Sequence, residues 1–213
     1  MADSRLYVHV LLDRSGSMES CRDKTIDAFN EYVGSVRHQS QAGTRLSLTT
    51  FDSESTDLVF DTMRITEVPK LTRETFVPRG STPLLDAVAA AVARIDKVTL
   101  VPEERVALAI LTDGHENASR EMTPDAVRKL LVDRQERCNW LVQYLGANQD
   151  AWAVGAQLGV AASHSLSFGV DSVDMAMGSM AASVGRYRSA PVQKARLAAS
   201  FTEQERAQSK PKS

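Results

Sequence analysis

Leu6-Tyr7-Val8-His9-Val10-Leu11-Leu12-Asp13-Arg14-Ser15-Gly16-Ser17-Met18 is the stretch on which the reading of this chain turns. Its first seven residues are apolar apart from His9 and do not alternate with polar ones. That pattern predicts a strand buried on both faces, as in a parallel sheet. The strand ends in Asp13, and an Asp-x-Ser-x-Ser turn follows at once. Three short oxygen side chains at alternate positions of a tight turn can converge on one point. Hard oxygen ligands of this kind suit magnesium or manganese better than zinc or copper. Gly16 frees the backbone between the two serines. Asp, Ser and Gly also build ordinary turns, so the meaning of the stretch depends on what the rest of the chain brings to it.

Outward from this point, strands and helices alternate. Ile26, Phe29, Val33 and Val36 recur at helical spacing and predict a helix over 22–38. Residues 45–52 read as a second strand. Asp52-Ser53-Glu54-Ser55 reads as a hairpin turn into a third, 56–63, which must run antiparallel to it. Segment 65–79 holds Pro69 and Pro78 and reads as loop with one short helical turn. A helix is expected over 83–98, with Leu84, Leu85, Val88, Val92 and Ile95 as its apolar stripe, Thr82 as N-cap and Pro83 at the first helical position. Strands at 105–113, 140–146 and 165–168 alternate with helices at 124–137, 149–158 and 172–187. Thr123-Pro124 repeats the Thr-Pro start. The expected fold is α/β: a doubly wound, mostly parallel six-stranded sheet, with one antiparallel edge strand and helices on both faces. One domain spans 1–190. Residues 191–213 form a polar, partly disordered tail in which Thr202 and Glu205 can cap one short helix.

Two later segments answer the first. Gly80-Ser81-Thr82-Pro83-Leu84 precedes the helix at 83, and the apolar run 106–111 ends in Thr112-Asp113-Gly114. With these the chain resembles the von Willebrand factor A domain and its metal-ion-dependent adhesion site. "LLDRSGSM", "GSTPLLDA" and "LTDGHEN" are similar to bacterial members. The resemblance implies a metal site at Asp13, Ser15, Ser17, Thr82 and Asp113, filled by Mg2+ or Mn2+. It implies that Ser15 and Ser17 coordinate directly, and that Thr82 does so when a ligand is bound. Asp13 and Asp113 act through water or by orienting the serines. It implies no catalysis but a protein-binding module whose metal takes an Asp or Glu carboxylate from a partner. Bacterial relatives often serve as adaptors for AAA+ ATPases or in stress- and phage-linked systems. The sequence has no Gly-x-x-x-x-Gly-Lys-Ser/Thr loop of its own, so any such ATPase is a separate chain.

Bulk properties exclude other classes. A net charge of -2 over 213 residues gives no general attraction to nucleic acid or to anionic membranes. No apolar run reaches the roughly 20 residues that cross a bilayer. The N-terminus lacks an export signal, so a cytoplasmic location with reduced cysteines is expected, Cys21 and Cys138 packing as small buried hydrophobes. Arg14, Arg79 and His115 flank the metal positions and are either a rim for an acidic partner or solvated loop residues; Glu116 works against a basic rim. His9 reads as a packed strand histidine, and Met175, Met177 and Met180 as helix-on-sheet packing. Trp152 fits either a core or a partner surface.

The competing reading is a phosphohydrolase of haloacid dehalogenase type, with Asp13 as metal-assisted nucleophile. That family carries a second aspartate two residues on, where this chain has Ser15, and Asp113-Gly114 offers only one later acid. No Ser-His-Asp spacing is evident. A domain whose site has fallen idle would not need all five ligand types.

Overall fold

The structure is a computed structural model that describes residues 5–39, 43–98, 100–101, 103–148 and 150–210. Six strands form one sheet: β1 (Leu6–Asp13), β2 (Thr44–Phe51), β3 (Thr56–Arg64), β4 (Arg105–Thr112), β5 (Leu141–Ala147) and β6 (Ser165–Phe168). Their order is β3-β2-β1-β4-β5-β6, and every pairing is parallel except that of β2 with β3. All eight residues of β1 are buried. This is why its sequence is apolar on both faces rather than alternating.

Helices cover the sheet on both sides. Leu6, Val8, Val10 and Leu12 of β1 share one cluster with α1 (Arg22–Gln39) and α5 (Val173–Ser189). Tyr7 and Leu11 share the other with α2 (Leu84–Ile95), α3 (Pro124–Arg137) and α4 (Ala151–Gln157). Thr123 caps α3 through Ala126 N–H, as its Thr-Pro sequence predicts. The start of the predicted helix at 149 lies outside the described residues, and α4 is capped by Asp150.

Strand order reverses between β1 and β4. In an open α/β sheet the binding crevice lies at such a switch point, beyond the carboxyl ends of the flanking strands. Asp13 ends β1 and Asp113 follows β4, so the fold brings them to one edge.

Two further short helices, α6 (Ala195–Ala198) and α7 (Glu203–Ser209), pack back on the domain. Ala195, Ala199 and Phe201 join the α1–α5 core, and Arg186 of α5 makes a double hydrogen bond to Glu205 at 2.8 and 3.0 Å. Thr202 and Glu205 form the reciprocal cap their spacing suggests. Residues 211–213 lie outside the described residues. Cys138 is exposed, not packed as expected, whereas Cys21 is buried. Met177 and Met180 are core residues, Met175 faces solvent, and Trp152 is exposed with the Arg206 guanidinium 5.4 Å from its ring centre.

Candidate metal centre

Asp13 is fully buried at the end of β1, and both carboxylate oxygens are held. Oδ1 accepts the Ser15 N–H at 2.7 Å, and Oδ2 accepts the hydroxyl of Thr112 on the neighbouring strand. Ser15 is extended and leads into a 3-10 turn, Gly16–Cys21, that carries Ser17. The Ser15 and Ser17 hydroxyls are 3.1 Å apart, and Ser17 Oγ donates to Asp113 Oδ1 at 2.7 Å. Four of the five predicted residues thus form one hydrogen-bonded chain.

Thr82 joins them by close approach. A methyl group on Gly114 would lie 2.6 Å from Thr82 Oγ1 and 3.5 Å from Asp13 Oδ2. Only glycine leaves that space open, and it is the reason Asp113 is followed by one. The second loop is tied to the first by Gly16 N–H, which donates to the Gly80 carbonyl at 3.0 Å. Gly80 has a φ of +64°, a left-handed conformation that glycine adopts without steric cost.

Thr82 does not cap α2, contrary to the sequence expectation. Pro83 takes the capping position with φ −82° and ψ 62°, and no side-chain cap bond is made from it. The helix starts one residue late, so the Thr82 hydroxyl lies too far back to reach the first turn. Capping comes instead from the loop after β4. Glu116 Oε2 and Ser119 Oγ accept the Leu85 N–H at 2.9 and 3.0 Å. Asn117 Oδ1 accepts the Thr82 N–H at 2.9 Å, while Asn117 N–H donates to the Thr82 carbonyl at 3.2 Å. Asp86 returns the favour by accepting N–H bonds from Arg120, Glu121 and Met122. Thr112, Glu116 and Asn117 are the residues that sequence reasoning left without a role. The "TDGHEN" run holds all three, but the partners that tie them to Asp13, Thr82 and Leu85 lie 30 or more residues away.

Among the described residues no arginine or lysine pairs with Asp13 or Asp113. Burial pushes the Asp13 carboxyl up to about 6, against the hydrogen bonds from Thr112 and Ser15, and the nearby Asp113 charge adds to the rise. Asp113 is also raised, first by burial. Arg14 and Arg79 do not form the basic rim that their positions suggested. Arg14 is buried and turned away, with Nε 2.8 Å from Asp52 Oδ2 and NH2 2.8 Å from Asp57 Oδ2. Arg79 Nε bonds the same Asp52 oxygen at 3.1 Å. His115 is exposed and has no hydrogen bond or ion pair among the described residues. Glu116 belongs to the loop brace, its Oε1 also accepting the Ala118 and Ser119 N–H groups at 3.0 and 2.8 Å.

The donor set is therefore two carboxylates and three hydroxyls around an exposed edge. Among the described residues no three His, Cys, Asp or Glu side chains cluster as a metal site. The arrangement fits a hard, oxygen-seeking divalent ion and does not offer the nitrogen and sulfur ligands typical of zinc. Asp113 stands within hydrogen-bond reach of Ser17 Oγ. No imidazole joins the pair among the described residues, and both oxygens of Asp13 are already engaged.

No family model and no curated protein matches this sequence. Solved structures do match. The chain is similar to the von Willebrand factor domain of the type V pilus tip protein Mfa5 from Porphyromonas gingivalis, with a TM-score of 0.65 and 11% identity over 90% of this chain and 98% of that one. It is similar to proximal thread matrix protein 1 of the mussel byssus, solved with a zinc-occupied metal site, at a TM-score of 0.62 and 14% identity over 86% of this chain. This chain spans 46% of that mussel protein's length. A third match is the manganese-loaded TRAP protein of Plasmodium vivax, at 0.52 and 18% identity over 68% of this chain and 58% of that one.

Proposed function

Because the chain has the von Willebrand factor A fold, we propose that it is a metal-dependent protein-binding domain. Asp13, Ser15, Ser17, Thr82 and Asp113 hold one divalent ion, Mg2+ or Mn2+, and an Asp or Glu side chain of a partner protein completes its coordination. One observation carries this reading: two carboxylates and three hydroxyls from three loops meet at an exposed sheet edge, with no cationic side chain among them.

Several contacts support this reading. Asp13 is locked by Ser15 and Thr112 and sets the floor. Asp113 holds Ser17, and Thr82 stands across Gly114. The Glu116 and Asn117 brace fixes the start of α2 beside the site. When bound, a divalent ion partly cancelled by hydroxyls and two carboxylates keeps an attraction for an outside carboxylate. The metal-loaded mussel and Plasmodium structures on the same fold support that reading. An adaptor role beside a separate AAA+ ATPase extends it; that part rests on the family resemblance and on the lack of a phosphate-binding loop in this sequence.

The phosphohydrolase reading loses ground. Its nucleophile would be Asp13, but that carboxylate is buried and hydrogen-bonded at both oxygens. The test is an affinity capture with the intact chain in magnesium and in EDTA. A partner retained in magnesium, released by EDTA and lost in Asp13→Ala is the expected result. A partner retained equally under all three conditions would contradict the proposal.

A further inference from the structure

A cavity of about 530 Å3 lies on the α2 face of the sheet, away from the metal edge, between α2 and the β2–β3 hairpin. Its size is within the roughly 300–1,000 Å3 of small-molecule sites. It exists for two reasons. The wall given by α2 is made of small side chains, Ala90 and Ala93 among them. The β2–β3 pairing is also irregular, with register shifts between Leu46 and Leu48 and between Leu48 and Thr49. These shifts turn Phe60 into the α1 core and leave Asp61 and Thr62 lining the cavity. Thr62 is held there at a φ of 47°, rare for a β-branched residue, with its N–H donating to Ser47 Oγ at 2.8 Å.

Thr49 lines the cavity and joins it to a buried polar network, at a place where apolar side chains would pack more cheaply. Tyr7 Oη donates to Ser47 Oγ at 2.8 Å and lies 3.2 Å from His9 Nδ1. His9 Nε2 is 3.0 Å from Thr49 Oγ1, and Thr49 lines the cavity. Burial pushes His9 down to about 3, with the Arg94 charge adding to the effect, so the imidazole behind Thr49 is neutral. The rim is cationic. Arg45 is matched by Glu104 at 3.0 and 2.6 Å. Arg94 and Lys97, on and just beyond the last turn of α2, have no ion-pair partner among the described residues. Asp61 faces them across the opening.

We propose that this cavity is a second binding site, for a small hydroxylated organic anion. Arg94 and Lys97 would take its phosphate or carboxylate, and Thr49, Thr62 and Asp61 its hydroxyl groups. Sugar phosphates and sugar acids share that chemistry. Both cations sit where a helix C-terminus favours positive charge in any protein. The hydroxyls of Thr49 and Thr62, the Asp61 carboxylate and the irregular hairpin wall are what set this place apart from an ordinary helix end.

The test is amide NMR of the full chain titrated with ribose 5-phosphate, gluconate and inorganic phosphate. Saturable shifts at Thr49, Thr62 and Arg94 are expected with ribose 5-phosphate or gluconate, and which of the two binds tells phosphate from carboxylate. The Arg94→Ala, Lys97→Ala double variant, which alters only exposed side chains, should weaken binding about tenfold or more. Asp13→Ala should leave it unchanged. No saturable shift with either organic probe would overturn the proposal. So would inorganic phosphate binding as well as both, the mark of an adventitious ion only, or a double variant that binds like the wild type.

Discussion

Asp13 and Asp52 are two buried carboxylates, one ending β1 and the other just past the end of neighbouring β2, and the protein treats them oppositely. Burial raises both. At Asp52 the backbone N–H groups of Glu54 and Ser55 and the Arg14 guanidinium outweigh it, so its carboxyl lies below the usual range. At Asp13 burial wins, and the carboxyl rises to about 6. Arg14 is the very next residue after Asp13, yet it points to Asp52. Arg79 precedes the Thr82 loop and does the same. The chain thus has two arginines within a few residues of the metal edge and turns both of them away. One carboxylate group is finished with protein charges and is structural. The other is left without a cationic partner among the described residues, as the proposed cation site requires.

The comparison can be broken at Asp52. Asp52→Ala strips Arg14, which is buried, and Arg79 of their shared partner. Arg14 keeps Asp57 and Arg79 keeps Glu54, but the Glu54 and Ser55 N–H groups also lose their acceptor, so the cost is roughly 3 kcal/mol. Denaturant unfolding should show that loss in EDTA and in magnesium alike. A loss near zero would mean that the arginines do not need Asp52.

The two carboxylates should also give pH dependences of opposite sign. Asp13 is raised in the folded state, so its favourable contribution is present below the ordinary carboxylate pKa and is lost as pH rises through about 6. The shift corresponds to roughly 3 kcal/mol. Asp52 is lowered, so its contribution is present above the ordinary pKa and is lost as acid protonates it. A cation has to displace the proton of Asp13, so magnesium affinity should be about tenfold weaker at pH 5 than at pH 7.5. Calorimetry at the two pH values checks this, and equal affinity would remove Asp13 from the site.

A smaller effect sharpens the site's other flank. Glu116→Ala should cost about 2 kcal/mol, because the Leu85, Ala118 and Ser119 N–H groups lose a charged acceptor. Thr82→Ala should cost less, since Thr82 caps nothing. Thermal unfolding of the two variants orders them; the reverse order would restore Thr82 as a cap.

What was legible in the sequence was what is local or periodic. The six strands, the antiparallel hairpin and the main helices follow from apolar spacing and turn residues. Asp13, Ser15 and Ser17 sit within five residues on one turn, so their convergence shows in the sequence itself. Thr82 and Asp113 needed the fold's strand order, which the family resemblance supplied. The pairing of Arg14 with Asp52 could not be read, because it depends on the register of β1 against β2 across 38 residues. The capping of α2 was misread for a similar reason. Thr-Pro is an N-terminal signal at both α2 and α3, but only at α3 does the backbone start the helix at the proline. The tail was judged by its polarity, and the few residues that anchor it, Ala195, Ala199 and Phe201, are too sparse to form a periodic signal.

In the proposed site a cation answers the buried charge of Asp13, a charge that costs the fold stability when the cation is removed. Thermal unfolding of the wild type and of Asp13→Asn, each in EDTA and in magnesium, tests this most directly. Asparagine keeps the shape and removes the charge. The account predicts that in EDTA at pH 7.5 Asp13→Asn is at least as stable as the wild type. It also predicts that magnesium stabilises the wild type and leaves the variant unmoved. A variant clearly less stable than the wild type in EDTA, with both proteins shifting equally in magnesium, would contradict it.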